Sequence, residues 1–127
     1  MWEYHIPKRR IGTLAPLSAI ENEAYEFYRI APMGVMCIYL PIGLQKFTAE
    51  DVERVFEPVD KHIAYLLDRD VDVIVQSGVP LPILIGLEAH NLLMDHIAKK
   101  SGLPVTSSVT AVVDAAHHLG IKNIALA

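Results

Sequence analysis

Hydroxyl and glycine residues gather where three apolar runs of the sequence end. They are Ser18 after the first run, Ser77 and Gly78 after the second, and Thr106, Ser107, Ser108 and Thr110 after the third. Hydroxyls and backbone N–H groups at the starts of helices form a binding site for an anion, either a carboxylate or a phosphate. Helix capping by serine explains each of these loops alone, but it explains their shared position at strand ends less well.

The sequence contains no pattern typical of a metal or cofactor site. Of its six histidines, His117 and His118 lie in the last turn of a predicted helix, where the helix dipole favours positively charged side chains without a metal. His90 and His96 are six residues apart, so they point in different directions from one helix. Neither the glycine-rich dinucleotide fingerprint nor a P-loop occurs. We therefore expect no metal and no cofactor.

Cys37 is the only cysteine, and it lies between Met36 and Ile38 inside an apolar run. A thiol in such a place behaves as a small hydrophobic side chain, so we expect it in the core and not as a nucleophile. One cysteine cannot form an intramolecular disulfide, and the sequence has neither a signal peptide nor an apolar run long enough to span a bilayer. These features favour a cytoplasmic protein without a membrane partner.

The composition indicates one folded domain. The chain has 127 residues, of which 52% are hydrophobic and 20% charged, and this is enough to bury a core. Eleven basic and 15 acidic residues give a net charge of −4, and the one basic block, at residues 8–10, is too small to favour nucleic acid as the main partner. We expect a small-molecule ligand instead.

Apolar strand-like runs alternate with amphipathic helical patterns along the chain. This alternation is typical of an α/β fold with a parallel sheet and right-handed crossovers. Strands are predicted at residues 11–15, 34–40, 71–75, 104–106 and 121–127, and helices at 19–30, 48–68, 83–100 and 109–119. Ligands bind to such sheets beyond the carboxyl ends of the strands. The candidate site loops are therefore 15–19, 40–44, 76–82 and 106–110.

Local composition adds more detailed expectations. The continuous apolar run at residues 34–40 predicts a strand buried on both faces. Pro58 lies inside the second helix, where we expect it to cause a kink. Two prolines and a glycine within residues 77–82 argue against both strand and helix there. Gly102 follows two lysines at the end of the third helix and is expected to cap it.

Three segments of the chain resemble the aspartate/glutamate racemase superfamily, and the nearest branch is that of the maleate cis-trans isomerases and arylmalonate decarboxylases. The segments are Arg-Ile-Gly-Thr-Leu-Ala-Pro at residues 10–16, Asp-Val-Ile-Val-Gln-Ser-Gly at 72–78, and the strand and helix of residues 102–115. The resemblance covers residues 10–127 and implies a three-layer α/β/α lobe, one half of a pseudo-symmetric two-lobed fold. It also implies that residues 1–9 are a leader and that a second lobe lies outside this sequence.

The resemblance implies chemistry beside a carboxylate without a cofactor: racemisation, cis-trans isomerisation or decarboxylation of a small acid. In the family, cysteines, usually one from each lobe, donate and accept the proton or act as the nucleophile. The position that matches the first-lobe cysteine is Gly78, preceded by Ser77, and arylmalonate decarboxylases resemble this chain in having glycine there. Val79 and Pro80 replace a Thr-Ser pair, although the amide of Val79 remains.

The resemblance also implies a set of carboxylate-binding residues: Ser18, Tyr39, Gly78, Val79, Thr106, Ser107 and Ser108. The family has an asparagine at the position of Ala19, directly after Ser18. The leading hypothesis is an isomerase, racemase or decarboxylase whose site is completed by a second lobe or by a second copy of the chain. The alternative is a catalytically degenerate relative that binds a small acid or serves as a structural subunit, since the first-lobe thiol and some donors are missing.

Overall fold

The computed structural model describes residues 6–17, 22–44 and 48–125. The strands in these ranges form one sheet in the order β2-β1-β3-β4, and every neighbouring pair is parallel. The elements in chain order are β1 (Arg9–Leu17), α1 (Asn22–Ile30), β2 (Val35–Leu44), α2 (Ala49–Leu67), β3 (Val73–Gln76), α3 (Pro80–Ser101), β4 (Val105–Ser107) and α4 (Ser108–His118). The predicted α/β fold with a parallel sheet is confirmed.

The parallel register arranges the side chains of the sheet in rows. Leu14 lies between Leu40 of β2 and Gln76 of β3, and Gln76 pairs with Ser107 of β4. The preceding row is built around Thr13. It points to the opposite face, because successive side chains of a strand alternate. The side chains near the carboxyl edge are therefore divided between two faces.

Helices α2 and α3 cover the face of Leu14 and form the core with it. Gly12 of β1 allows this close contact, since a Cβ there would lie 2.8 Å from carbons of the Leu66 side chain. Burying one such apolar side chain contributes about 1.5–3 kcal/mol to stability. The core cluster consists of Leu14, Leu44, Val59, Ile63, Leu66, Val71, Ile74, Leu81, Leu93 and Ile97.

The opposite face, that of Thr13, has α1 near its β2 edge, and α1 and α4 bury fewer residues than α2 and α3 do. α1 has no buried residue, and Ala116 is the only buried residue of α4. Both helices leave apolar side chains in solvent, such as Tyr25 of α1 and Val112 of α4. This second face therefore contributes less apolar burial to the fold than the first.

β2 is half-buried, whereas its sequence predicts burial on both faces. Residues 35–40 have intermediate exposure. The prediction is wrong because β2 lies at the edge of the described sheet and has β1 as its only neighbour. The same position explains why β2 continues through Pro41, since a residue without an N–H is tolerated in an edge strand.

α3 begins earlier than predicted. The sequence argues against a helix at residues 77–82, but α3 begins at Pro80. The prediction is wrong there because the first N–H groups of a helix have no helical partner, so a proline fits without loss of a hydrogen bond. Gly86 interrupts the helical backbone of α3 with φ 77° and ψ 166°. Gly102 caps the helix with φ 68°, as predicted.

Two other expectations concern α2 and the end of the chain. α2 runs as one 19-residue helix with Pro58 inside it, and the kink at Pro58 stays a prediction. The predicted strand at 121–127 is wrong over residues 121–125, which are exposed and belong to no ladder. A strand needs a neighbour that takes its hydrogen bonds, and within the described chain β4 pairs with β3 alone. Residues 126–127 lie outside the described part.

Candidate functional site

The carboxyl ends of β3 and β4 lie side by side, and the residues that follow them meet. The Gly78 N–H donates a hydrogen bond to Ser108 Oγ at 3.0 Å. The Ser77 N–H donates to the Leu14 carbonyl of β1 at 3.0 Å, which holds this loop against the centre of the sheet. Ser107 ends β4 directly before Ser108. Four of the residues singled out in the sequence therefore lie together at one edge.

Ser107 caps α4. Its backbone is extended, with φ −132° and ψ 162°, and its Oγ accepts a hydrogen bond from the Thr110 N–H at 3.1 Å. This cap satisfies one of the N–H groups that lack a helical partner in the first turn. The N–H groups of Ser108 and Val109 remain at the positive end of the helix dipole. α4 therefore directs hydrogen-bond donors toward the end of the sheet.

The contact between Gly78 and Ser108 leaves one hydroxyl proton available. Because Ser108 Oγ accepts the Gly78 N–H, the proton of the hydroxyl can be donated to a second acceptor. An anion at the sheet edge is such an acceptor. The Gly78 N–H itself is already paired, so a role of Gly78 in carboxylate binding does not involve its amide.

Gly78 has a backbone that residues with side chains adopt only at a cost. Its φ is +78°, and a Cβ at this position would lie 3.0 Å from Pro16 Cγ. Such a left-handed conformation costs about 1–3 kcal/mol for a residue other than glycine. A cysteine at the position of the family's first-lobe thiol would therefore be strained in this chain.

The start of α3 offers fewer donors than the start of α4. Pro80 and Pro82 have no N–H, and the Ile83 N–H donates to the Val79 carbonyl at 3.3 Å. Val79 occupies the N-cap position without a side-chain cap, and its side chain is exposed. Val79 can contribute to a carboxylate site through its backbone N–H only.

A group of polar side chains is buried behind this edge, on the face covered by α3. Gln76, Ser77 and Ser107 are 0% exposed, and His90 of α3 is 2% exposed. His90 Nε2 lies 3.1 Å from Ser107 Oγ, which in turn lies 2.9 Å from Thr110 Oγ1. A continuous chain of side-chain hydrogen bonds therefore connects the interior to the start of α4.

Three atoms of this buried group have no hydrogen-bond partner in the described part of the chain: Gln76 Oε1, Ser77 Oγ and His90 Nδ1. Leaving a buried polar atom unpaired costs about 1–3 kcal/mol. Burial also lowers the pKa of His90, because it disfavours the charged imidazolium. The His90 ring is therefore neutral at neutral pH, with a proton on one nitrogen.

The sequence placed Gln76 in the candidate loop 76–82 without assigning it a role, and it did not indicate His90 as part of the site. His90 precedes Leu93 and Ile97 by three and seven residues, so it shares the buried stripe of α3 with them. A histidine on such a stripe needs a polar partner, and this need is the signal that could have found it. A glutamine at the end of a buried strand gives the same signal.

Tyr39 and Thr106 lie in the row of Thr13, on the face of the sheet opposite to that of Leu14. Cys37 lies near them, with its Sγ 3.3 Å from Thr13 Oγ1 and its N–H donating to Tyr28 Oη at 2.9 Å. Burial, and then the neighbouring Cys37, raise the pKa of Tyr39. The structure therefore places these two predicted site residues on the other face of the sheet from the serine cluster.

Two further sequence expectations concern single residues. Cys37 is half-buried in the edge strand β2 and not part of the core cluster, so its predicted core position is wrong. Ser18 lies outside the described residues. Across residues 6–17, 22–44 and 48–125, no group of three or more His, Cys, Asp or Glu residues could hold a metal ion. Within these ranges, none of the helices is both long enough and apolar enough to cross a membrane.

A family model described as arylmalonate decarboxylase matches residues 19–127 of the chain. Solved structures of arylmalonate decarboxylase are also similar. A liganded mutant, with one glycine changed to cysteine and one cysteine changed to serine, has 26% identity and a TM-score of 0.71, covering 89% of this chain and 47% of that chain. The unliganded enzyme has 25% identity and a TM-score of 0.69, with coverage of 89% and 47%.

The fold is shared with a second kind of enzyme. A variant of the maleate isomerase from Pseudomonas putida S16, solved with maleate, has 21% identity and a TM-score of 0.73, covering 88% of this chain and 49% of that chain. No curated protein matches the sequence. The chain spans about half the length of the solved structures that it matches.

Proposed function

Because the chain belongs to the arylmalonate decarboxylase family, we propose that it forms one lobe of an enzyme that acts beside the carboxylate of a small mono- or dicarboxylic acid. The proposed reaction is an isomerisation, racemisation or decarboxylation without a cofactor. The observation that carries the proposal is the Ser108 hydroxyl, which accepts the Gly78 N–H and so keeps its own proton for a ligand.

The start of α4 supplies the donors that this chemistry needs. When a malonate loses CO2, the electrons of the broken C–C bond pass to the remaining carboxylate, and a proton then adds to the carbon. The Ser108 hydroxyl and the N–H groups of Ser108 and Val109 are placed to stabilise the charge on that carboxylate. One such donor lowers the activation free energy by about 2.7–4 kcal/mol in a site that excludes water. The lobe would thus hold the carboxylate while charge develops on it.

The group that donates the proton to the carbon would come from outside the carboxyl edge of this sheet. Position 78 is a glycine, and the only cysteine of the chain, Cys37, lies within β2. A second lobe or a second copy of the chain would therefore supply the acid that protonates the carbon. The length of the matched structures, about twice the part that this chain covers, supports a two-lobed arrangement.

Binding of malonate and maleate to the full chain tests the proposal. The melting temperature should rise with ligand concentration, since a ligand at a hundred times its Kd stabilises the folded state by about 2.7 kcal/mol. Ser108→Ala should weaken binding about tenfold or more, because a hydrogen bond to a charged group contributes about 1.5–3 kcal/mol. Ser101→Ala, at the far end of α3, is the matched control and should bind normally. An unchanged melting temperature in millimolar malonate and maleate would contradict the proposal.

The loop after β3 favours a second candidate, a relative that binds a small acid without turnover. Pro80 and Pro82 remove N–H donors, and Gly78 has no thiol. Incubation with malonate and with α-substituted acids in D2O distinguishes the two candidates. Release of CO2 or incorporation of deuterium next to the carboxylate supports the enzyme. Binding with neither reaction, in a sample that contains the second lobe or the second copy proposed to complete the site, supports the binding role.

A further inference from the structure

The buried His90 side chain lies at the inner end of a hydrogen-bond chain that reaches the proposed carboxylate site. Its Nε2 is 3.1 Å from Ser107 Oγ, and Ser107 Oγ is 2.9 Å from Thr110 Oγ1. Thr110 is exposed in the first turn of α4. Which nitrogen of the imidazole carries the proton can therefore determine the direction in which a hydroxyl at the protein surface donates its hydrogen bond.

The Ser107 hydroxyl can complete this chain in only two ways. It has one proton and two lone pairs, and the Thr110 N–H occupies one lone pair. In the first arrangement His90 Nε2–H donates to Ser107, and Ser107 donates to Thr110 Oγ1. In the second, Thr110 Oγ1–H donates to Ser107, and Ser107 donates to an unprotonated Nε2. The Thr110 proton is free for a ligand only in the first arrangement.

The other ring nitrogen of His90 discriminates between the two arrangements. Nδ1 is buried and has no partner among the described residues. It is an unprotonated acceptor in the first arrangement and carries an N–H in the second. Buried N–H groups without a partner are rarer than under-satisfied acceptors, so the first arrangement is favoured. A doubly protonated ring would also donate from Nε2, so the hydrogen bonds from His90 through Ser107 to Thr110 would keep the same direction.

We infer that His90 is a positioning residue: as the Nε2–H tautomer it directs the Ser107 proton to Thr110 and so makes the Thr110 hydroxyl a donor to the bound carboxylate. The ligand in this inference is the small acid of the proposed function, on which the inference rests. Thr110 then joins Ser108 as a second hydroxyl donor at the start of α4. In this arrangement the Thr110 proton is not used within the protein, so it is available to a carboxylate oxygen.

The tautomer of His90 can be measured directly. Two-bond ¹H–¹⁵N NMR spectra of the full chain report which ring nitrogen is protonated, and the spectrum of His90→Gln identifies the His90 signals. We expect a protonated Nε2 and an unprotonated Nδ1, with and without malonate. The opposite tautomer would overturn the inference. This measurement needs no ligand, so its result does not depend on whether the proposed function is correct.

Malonate binding tests the role of the Thr110 hydroxyl. Thr110→Val removes the hydroxyl from an exposed position and should weaken binding about tenfold or more, whereas Thr110→Ser should restore it. His90→Gln retains an N–H donor and should bind nearly as the wild type does, and His90→Leu should lie between wild type and Thr110→Val. Wild-type affinity in Thr110→Val would overturn the inference. A wild-type chain that binds no malonate would overturn the proposed function and the role of Thr110 in binding, and the tautomer would then test only the direction of the hydrogen bonds between His90 and Thr110.

Discussion

The face of the sheet under α2 and α3 and the opposite face, that of Thr13, differ in how they are packed. On the first face, ten apolar residues form a cluster that is almost completely buried. On the second, Cys37 and Tyr39 are half-buried, and α1 has no buried residue. The side-chain hydrogen bonds that connect His90 to Ser107 lie on the first face, and they continue to the exposed Thr110. The candidate site is therefore built against the tightly packed side of the sheet.

This difference indicates where the candidate site obtains its fixed geometry. A buried chain of hydrogen bonds keeps one arrangement only if the surrounding side chains hold its members in place. Leu93 and Ile97 do so for His90, since they belong to the same buried stripe of α3. α1, in contrast, has no buried residue. Substitutions on the two faces should therefore differ in their effect on stability.

The largest effect should come from a truncation in the packed face. Leu93 is 1% exposed, whereas its neighbour on the same helix, Leu92, is 64% exposed. Leu93→Ala should lower the free energy of unfolding by about 2–5 kcal/mol, through lost apolar burial and the cavity left behind. Leu92→Ala should change it by less than about 0.5 kcal/mol. Urea denaturation followed by circular dichroism measures both, and equal losses would show that α3 does not pack through the Leu93 stripe.

The sequence predicted the order of the eight described elements because the period of apolar residues is a local property. It did not predict that β2 is an edge strand, since burial depends on which strands become neighbours. It also missed the start of α3 at Pro80, because the same proline that ends a helix interior is tolerated in a first turn. The wrong predictions therefore arise where tertiary position, and not local pattern, determines the outcome.

The candidate site was predictable to a similar extent. Gly78 and Ser108 were expected to converge, because parallel strands end at the same edge of a sheet. The opposite faces of Thr106 and Ser107 also follow from the sequence, since adjacent strand residues alternate. The contact of His90 with Ser107 joins residues 17 positions apart. It depends on how α3 packs on the sheet, which no local pattern specifies.

An intermediate effect is expected at Gly78, where the candidate site meets β1. Gly78 and Gly43 both have positive φ, +78° and +94°, but a Cβ at Gly78 would lie 3.0 Å from Pro16 Cγ whereas one at Gly43 meets nothing within 4 Å. Gly43→Ala should therefore cost about 1 kcal/mol of stability for the backbone alone. Gly78→Ala should cost up to about 3 kcal/mol, because a contact with Pro16 is added.

The same denaturation experiment with Gly78→Cys extends this comparison to the position of the missing thiol. The cysteine variant should be at least as destabilised as Gly78→Ala, since its side chain begins with the same Cβ. If Gly78→Ala and Gly43→Ala lose equal stability, Pro16 moves aside without cost. The loop at Gly78 and the neighbouring Pro16 would then accept an added side chain more easily than the distance between them indicates.

The smallest effect should be a pH dependence of stability that originates in the packed face. Burial lowers the pKa of His90 in the folded chain below its ordinary value of 6.5. Below pH 6.5 the unfolded chain therefore binds a proton that the folded chain resists, and stability falls as the pH falls toward the folded pKa. Above pH 6.5 both states are neutral at this residue, and its contribution is constant. The slope from one proton is at most about 1.4 kcal/mol per pH unit.

His90→Gln should remove this part of the pH dependence, because the amide does not titrate. His118→Gln, at an exposed position in the last turn of α4, is the matched control and should keep it. Urea midpoints measured at several pH values on either side of 6.5 compare the three proteins. If stability depends on pH with the same slope in wild type and in His90→Gln, the folded chain accepts a charged imidazole beside Ser107 without losing stability. In that case burial could not be what keeps the His90 ring neutral.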